Sequence, residues 1–127
     1  MVSKINELWI FSKSGITLVN YKKDPGLKMD LFPPFMAAVQ TMLKESTNKT
    51  LESFSMSNNK FTCNSCLDHT VLVVSRSPIK AKDKKIYKIL DNVRIELETS
   101  FTAEDIKNWD GNLSYFKKFK KQLKLLV

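Results

Sequence analysis

Residues 69–75 read His-Thr-Val-Leu-Val-Val-Ser, and this run limits the possible folds more than any other part of the chain. Successive side chains of a strand point to opposite faces of its sheet. A strand that is apolar on both faces belongs at the centre of a sheet, where water reaches neither side. Ser77-Pro78 closes the run. The rest of the chain must supply its neighbours and its cover.

Two neighbours come early. Residues 8–12, Leu-Trp-Ile-Phe-Ser, are strand formers that stop at Lys13-Ser14-Gly15. Residues 16–21 form a second run, in which Ile16, Leu18 and Asn20 face away from Thr17, Val19 and Tyr21. Two short strands around a glycine-containing turn make a β-hairpin. Residues 22–29 are a loop with its turn at Asp24-Pro25-Gly26. From residue 50 the period is again two: Phe54 and Met56 alternate with Ser53, Ser55 and Ser57. Asn58-Asn59 suits a tight turn, because Asn tolerates positive φ. Phe61, Cys63 and Ser65 then share a face of the returning strand.

The cover has a helical period. Asp30 precedes Pro33 and Pro34, which fit a first helical turn whose N–H groups have no partner in any case. Phe35, Met36, Val39, Met42 and Leu43 follow at helical spacing through Lys44. Residues 80–101 carry the longest stripe: Ile86, Ile89, Leu90, Val93, Leu97 and Phe101. After a loop around Thr102, Trp109, Leu113, Phe116, Leu123 and Leu126 recur as in a last helix, and Lys117, Lys118, Lys120, Lys121 and Lys124 take most of the remaining positions. Gly111 weakens the start of that helix. The order is β-β-α-β-β-β-α-α, an α+β fold with a five-stranded, largely antiparallel sheet.

A chain of 127 residues makes one domain over 1–127, with room for one core. The apolar run 8–11 is too short for a signal peptide, and no stretch approaches the roughly 20 apolar residues that span a bilayer. A cytoplasmic protein is expected, peripheral on membranes at most. The net charge of +8 is almost entirely lysine, with Arg76 and Arg94 the only guanidinium groups. Specific nucleic-acid readers lean on arginine, so this balance argues against nucleic acid and leaves anionic membrane open.

The hairpin over 8–21, the helix over 35–44, the meander over 52–56, 60–66 and 70–75, and the long helix after it together resemble the longin family, the profilin-like domains of trafficking proteins. The likeness covers nearly the whole chain. It lies in pattern rather than in catalytic residues. A chain that starts with a strand is more similar to longins than to the related roadblock arrangement. The resemblance implies a platform without enzymatic activity or cofactor, one that engages a small GTPase, a SNARE motif or another longin-like or roadblock-like protein in vesicle traffic. Lysine-rich, stand-alone versions of this size also resemble longin proteins of archaea with eukaryote-like trafficking genes. No heptad segment or membrane anchor precedes Val127, so a direct fusion role is not expected. In longins the groove between the first helix and the third strand takes a partner's apolar segment. Here that implies Leu31, Phe32, Phe35, Val39 and Phe54, of which Phe35 and Val39 read first as core and Leu31 and Phe32, just ahead of the helix, as exposed. An exposed sheet edge also permits a homodimer.

One cluster invites a chemical reading. Cys63, Cys66 and His69 have spacings at which three zinc ligands occur, with Asp68 as a fourth. A second Cys or His pair is missing from the sequence. On one regular strand the odd spacing of the cysteines sends them to opposite faces, and only a turn near Asn64-Ser65 would remove that objection. Buried or incidental cysteines are the plainer reading, and no metal is expected. His69 is the only histidine, there is no G-x-S-x-G, and Lys13-Ser14-Gly15 lacks the spacing of a phosphate loop. The last helix has three readings: core packing with solvated lysines, a partner's groove, or, as the alternative function, a peripheral membrane or RNA surface that Lys117, Lys118, Lys120, Lys121 and Lys124 would contact.

Overall fold

The computed structural model describes residues 5–23, 25–45 and 51–126. Its elements are β1 Glu7–Ser12, β2 Thr17–Lys22, α1 Phe32–Glu45, β3 Leu51–Met56, β4 Asn59–Cys66, β5 Val71–Pro78, α2 Asp83–Ser100, α3 Ala103–Lys107 and α4 Lys117–Leu126. Short 3₁₀ turns at Met29–Leu31 and Leu113–Phe116 lead into α1 and α4. The five strands form one antiparallel sheet in the order β2-β1-β5-β4-β3. The apolar run is central, as its two-faced pattern requires, and Val71 to Ser77 are all buried.

Its two faces bury different chemistry. On one, Trp9, Phe11, Phe61, Cys63, Leu72 and Val74 meet Phe35 and Val39 of α1. On the other, Leu8, Ile10, Val71 and Val73 meet Ile86, Leu90, Val93 and Leu97 of α2, joined by Phe116, Phe119 and Leu123. The molecule is thus a three-layer sandwich, with α1 on the aromatic face and α2 and α4 on the aliphatic face.

Several boundaries depart from the sequence reading, each for a local reason. The strand expected from His69 starts at Val71, because Leu67, Asp68 and His69 take φ of 52°, 53° and 63° in a left-handed turn. Asp and His tolerate that region better than most residues. Leu67 is held there by burial in the aliphatic core. The same strand runs on to Pro78, which pairs with Asn59 after β1 has ended beside Arg76, so its missing N–H is not needed on the β1 side. The hairpin turn after β3 is Ser57-Asn58 rather than Asn58-Asn59, and the positive φ falls on Ser57.

Leu18 and Val19 were expected on opposite faces, yet both pack in the aliphatic core. A bulge is the cause: Ile10 pairs with Val19 and Phe11 with Thr17, which leaves Leu18 as the extra residue. Thr102 opens a helix rather than a loop. Its hydroxyl accepts from the Asp105 N–H at 3.1 Å while the Asp105 carboxylate accepts from the Thr102 N–H at 2.8 Å, a capping box that starts α3. The segment read as one helix from Trp109 is a 3₁₀ turn followed by α4, and Leu113 is half exposed while Phe119, absent from the expected stripe, is buried.

Candidate partner-binding surface

A helix about 10 Å wide cannot cover a sheet whose outer strands lie roughly 19 Å apart. Among the described residues, α1 is the only helix on the aromatic face, and what it leaves uncovered is apolar. Phe35 is fully buried and gathers the surrounding rings: Trp9 at 4.5 Å, Phe61 at 5.1 Å, Phe32 at 6.0 Å, Phe11 at 6.3 Å and Phe54 at 6.5 Å between centroids. Phe54 also stacks on Phe61 at 4.9 Å. Phe32 and Phe54 lie at the rim of this cluster. Phe32 is 43% exposed and Met29, one short turn earlier, is 89% exposed. Phe54 and Met56 of the outer strand β3, with Met36 and Met42 of α1, are half buried. This margin offers aromatic rings and flexible thioethers, the side chains that adapt to an apolar partner surface.

The five groove residues expected from the resemblance therefore divide. Phe35 and Val39 are fully buried and serve as core, so a partner cannot reach them. Leu31 and Phe54 are half buried and Phe32 is exposed. Met29 is not among the expected residues. Its signal in the sequence is faint, because the loop over residues 22–29 carries no period. Only its place just ahead of Asp30 and the two prolines marks it.

A buried polar hub fixes the approach to this margin. Glu7 continues the face of Trp9 and Phe11, where an unpaired carboxylate would be costly. Its Oε1 accepts from Arg76 Nε at 3.3 Å and from the Leu27 N–H at 3.0 Å, and its Oε2 accepts from Asn20 Nδ2 at 3.0 Å. Arg76 also donates to Asn59 Oδ1 at 3.4 Å. Glu7 and Arg76 are both buried. Four strands and the connector before α1 thus meet at one ion pair. Gly26 lets the connector pass: its φ is +94°, and a Cβ there would lie 2.9 Å from Lys22 Cδ and 3.5 Å from Glu7 Oε1. Leu27, once anchored, packs into the aromatic cluster, and Met29 and Phe32 follow shortly after it. The sequence holds a clue to this hub, a charge in step with Trp9 and Phe11 on an otherwise apolar strand face.

The cysteine–histidine cluster is not assembled. β4 stays regular through Cys66, so the turn that would have joined the two thiols is absent from residues 64–65. Cys63 packs in the aromatic core and Cys66 in the aliphatic one, on opposite sides of the sheet. His69 is exposed in the left-handed turn. Burial, reinforced by the charge of Glu98, pushes the Cys66 thiol up to about 12, away from nucleophilic or metal-binding thiolate chemistry. Among the described residues, no three His, Cys, Asp or Glu side chains converge as metal ligands.

The five expected lysines, Lys117, Lys118, Lys120, Lys121 and Lys124, are all exposed on α4, while Phe116, Phe119 and Leu123 are buried. No described helix is long and apolar enough to cross a membrane.

The sandwich is of the longin-like type, the class that also includes roadblock arrangements. No protein-family model and no curated protein sequence matches the chain. Solved structures do. MglC from Myxococcus xanthus is similar with a TM-score of 0.51 at 18% identity, covering 76% of this chain and 89% of MglC. The gliding protein MglB from Thermus thermophilus has a TM-score of 0.51 at 11% identity, covering 68% of this chain and 70% of MglB. A structure of MglB with a tetrameric arrangement gives the same score and identity over 69% of its length. At these identities the likeness is one of fold.

Proposed function

We propose that the chain is a single longin-like domain, residues 1–127, that acts as a non-enzymatic protein-binding platform. Its partner in this reading is a small GTPase that it recruits or regulates, or a related longin or roadblock subunit with which it assembles, in membrane traffic. The observation that carries the reading is the apolar margin of the aromatic face: Met29 and Phe32 exposed at the start of α1, beside half-buried Phe54 and Met56 of an outer strand. An anchored connector presents these side chains, which limits the ordering cost of binding. The longin-like fold supports the choice of partner class. The tetrameric MglB is a protein of similar fold that assembles with its own copies.

The test is affinity capture with the tagged full chain at moderate salt, compared with a Met29→Asp/Phe32→Asp variant. The reading expects a small GTPase or a longin-like subunit bound by the parent chain and reduced by at least about tenfold in the variant, as loss of a central aromatic anchor would give. Capture of neither class, or equal capture by both proteins, sinks it.

A further inference from the structure

The last helix has more cation than its packing uses. α4 spends Phe119 and Leu123 in the aliphatic core, along with Phe116 just before it. Its outward arc carries Lys117, Lys118, Lys120, Lys121 and Lys124, and residues 111–127 contain no Asp or Glu. Lysines in that density repel one another across a short helix, and no carboxylate of the same segment relieves them. Large apolar groups sit among them: Leu125 is 87% exposed, Leu113 52% and Tyr115 47%. Beside them a cleft of about 200 Å³ opens between β2 and the start of α4, with Leu18, Leu113 and Phe116 in its walls and Lys117 and Lys120 also lining it.

We infer that this face of the folded domain adsorbs to an anionic lipid bilayer. The charge sign selects an anionic partner. The exposed Leu125, Leu113 and Tyr115 distinguish a bilayer interface from a purely ionic surface, since leucine and tyrosine side chains gain by entering the headgroup region. The absence of arginine from residues 111–127 disfavours nucleic acid, where the guanidinium fork does the reading. The mode of contact follows from the packing. Because the apolar stripe of α4 is already buried against the sheet, the helix cannot turn it into the bilayer. Adsorption is electrostatic with shallow insertion of a few side chains. α4 lies on the aliphatic face and α1 on the aromatic one. A domain adsorbed through α4 therefore holds the margin around Met29 and Phe32 on its other side, open to a partner.

The experiment is vesicle cosedimentation of the full chain, with vesicles of phosphatidylcholine alone and vesicles containing about a third phosphatidylserine, at low and at high salt. Binding to the anionic vesicles alone, lost at high salt, is the expected result. The variant Lys117→Gln/Lys120→Gln/Lys121→Gln/Lys124→Gln changes only exposed side chains, and circular dichroism checks its fold. At about fivefold per lysine near the surface, it should bind at least about a hundredfold more weakly. Leu125→Ser should weaken binding severalfold without altering the salt dependence. The inference is overturned if the parent chain ignores anionic vesicles at low salt, or if the quadruple variant binds as well as the parent. It is also overturned if single-stranded RNA competes the protein off the vesicles at equal charge concentration.

Discussion

The aromatic and aliphatic faces of the sheet are built from alternate residues of the same strands, yet they are closed in different ways. The aliphatic face has α2 and α4 side by side over Leu8, Ile10, Val71 and Val73, with Phe101, Phe116 and Phe119 filling the space at the end of α2. Two helices cover the inner strands on this side and leave Ser53 and Ser55 of β3 exposed. Among the described residues the aromatic face has one helix and makes up the difference with ring size and with a polar hub, the Glu7–Arg76 pair under the connector. Large rings fill volume beneath a single helix but cannot close its flanks. The face with fewer helices is thus both the more demanding to pack and the one with an apolar margin to offer. In the proposed function partner capture falls to the aromatic side, while α4 on the other side carries the lysines.

The largest test of that contrast is Phe35→Ala. Phe35 is fully buried and sits among five other rings, so its loss should cost about 3–5 kcal/mol in urea denaturation. Leu90→Ala on the aliphatic face removes a smaller side chain from a site with two helices around it, and should fall toward the lower part of the roughly 2–5 kcal/mol range. Equal costs would mean that the single-helix face is no more dependent on its central ring than the other face is on its leucines.

The hub comes next. Arg76→Ala leaves the Glu7 carboxylate buried without its ion-pair partner and should destabilise by roughly 3–5 kcal/mol. Replacing both members, Glu7→Gln/Arg76→Met, removes the uncompensated charge and should recover much of that loss. Glu7→Gln alone keeps one acceptor for the Leu27 N–H and Asn20, so the double variant tests the charge rather than the shape. A double variant as unstable as Arg76→Ala would show that the hub acts through its hydrogen bonds to the connector.

A smaller effect runs through Cys66 and pH. The Cys66 thiol is pushed from its ordinary 9.0 up to about 12, chiefly by burial and then by Glu98. Well below pH 9 the thiol is protonated in both folded and unfolded chains, and it contributes no pH dependence. Above pH 9 the unfolded chain loses this proton while the folded chain keeps it, so stability falls as pH rises. From pH 9 to pH 10 that loss should be roughly 1 kcal/mol, and Cys66→Ala should abolish it. Urea midpoints of the parent and variant at the two pH values measure it. Alkylation of either cysteine in the native protein should be slow until the chain unfolds, since both are buried.

How much of this was legible beforehand follows the range of the interactions. Element order and the central strand were readable because residues 71–74 are apolar on both faces and residues 86–97 carry an uninterrupted period of 3.6. The odd spacing of Cys63 and Cys66 was enough to place them on opposite faces, as the regular β4 does. Local irregularity was not readable. Nothing in Thr17-Leu18-Val19 announces a bulge, and Leu67 takes a left-handed conformation that its residue type disfavours because the core holds its side chain. The α3 start was missed although Thr102 and Asp105 have capping-box spacing. Among the site residues, Phe35 and Val39 read as core from their place in the helical stripe and Phe32 as exposed from its place just ahead of it, and the burial follows that division. The hub was hidden for a different reason: Glu7 and Arg76 are 69 residues apart, and only strand pairing brings them together.

The smallest pair of effects tests the division of labour most directly, because stability and binding should respond in opposite ways. Thr102→Ala removes one half of the capping box on the aliphatic side and should cost about 1 kcal/mol, read as a lower denaturation midpoint. It touches nothing on the aromatic margin, so partner capture at a temperature where the chain stays folded should not change. Phe32→Ser does the reverse. The ring is 43% exposed and meets the core mainly at Phe35, so its removal should cost no more than about 1 kcal/mol, while partner capture falls by about tenfold. If both variants lose stability and binding in proportion, the two faces behave as one cooperative surface and the margin has no separate role. If they part as described, the single-helix face is what the rest of the fold holds in place for a partner.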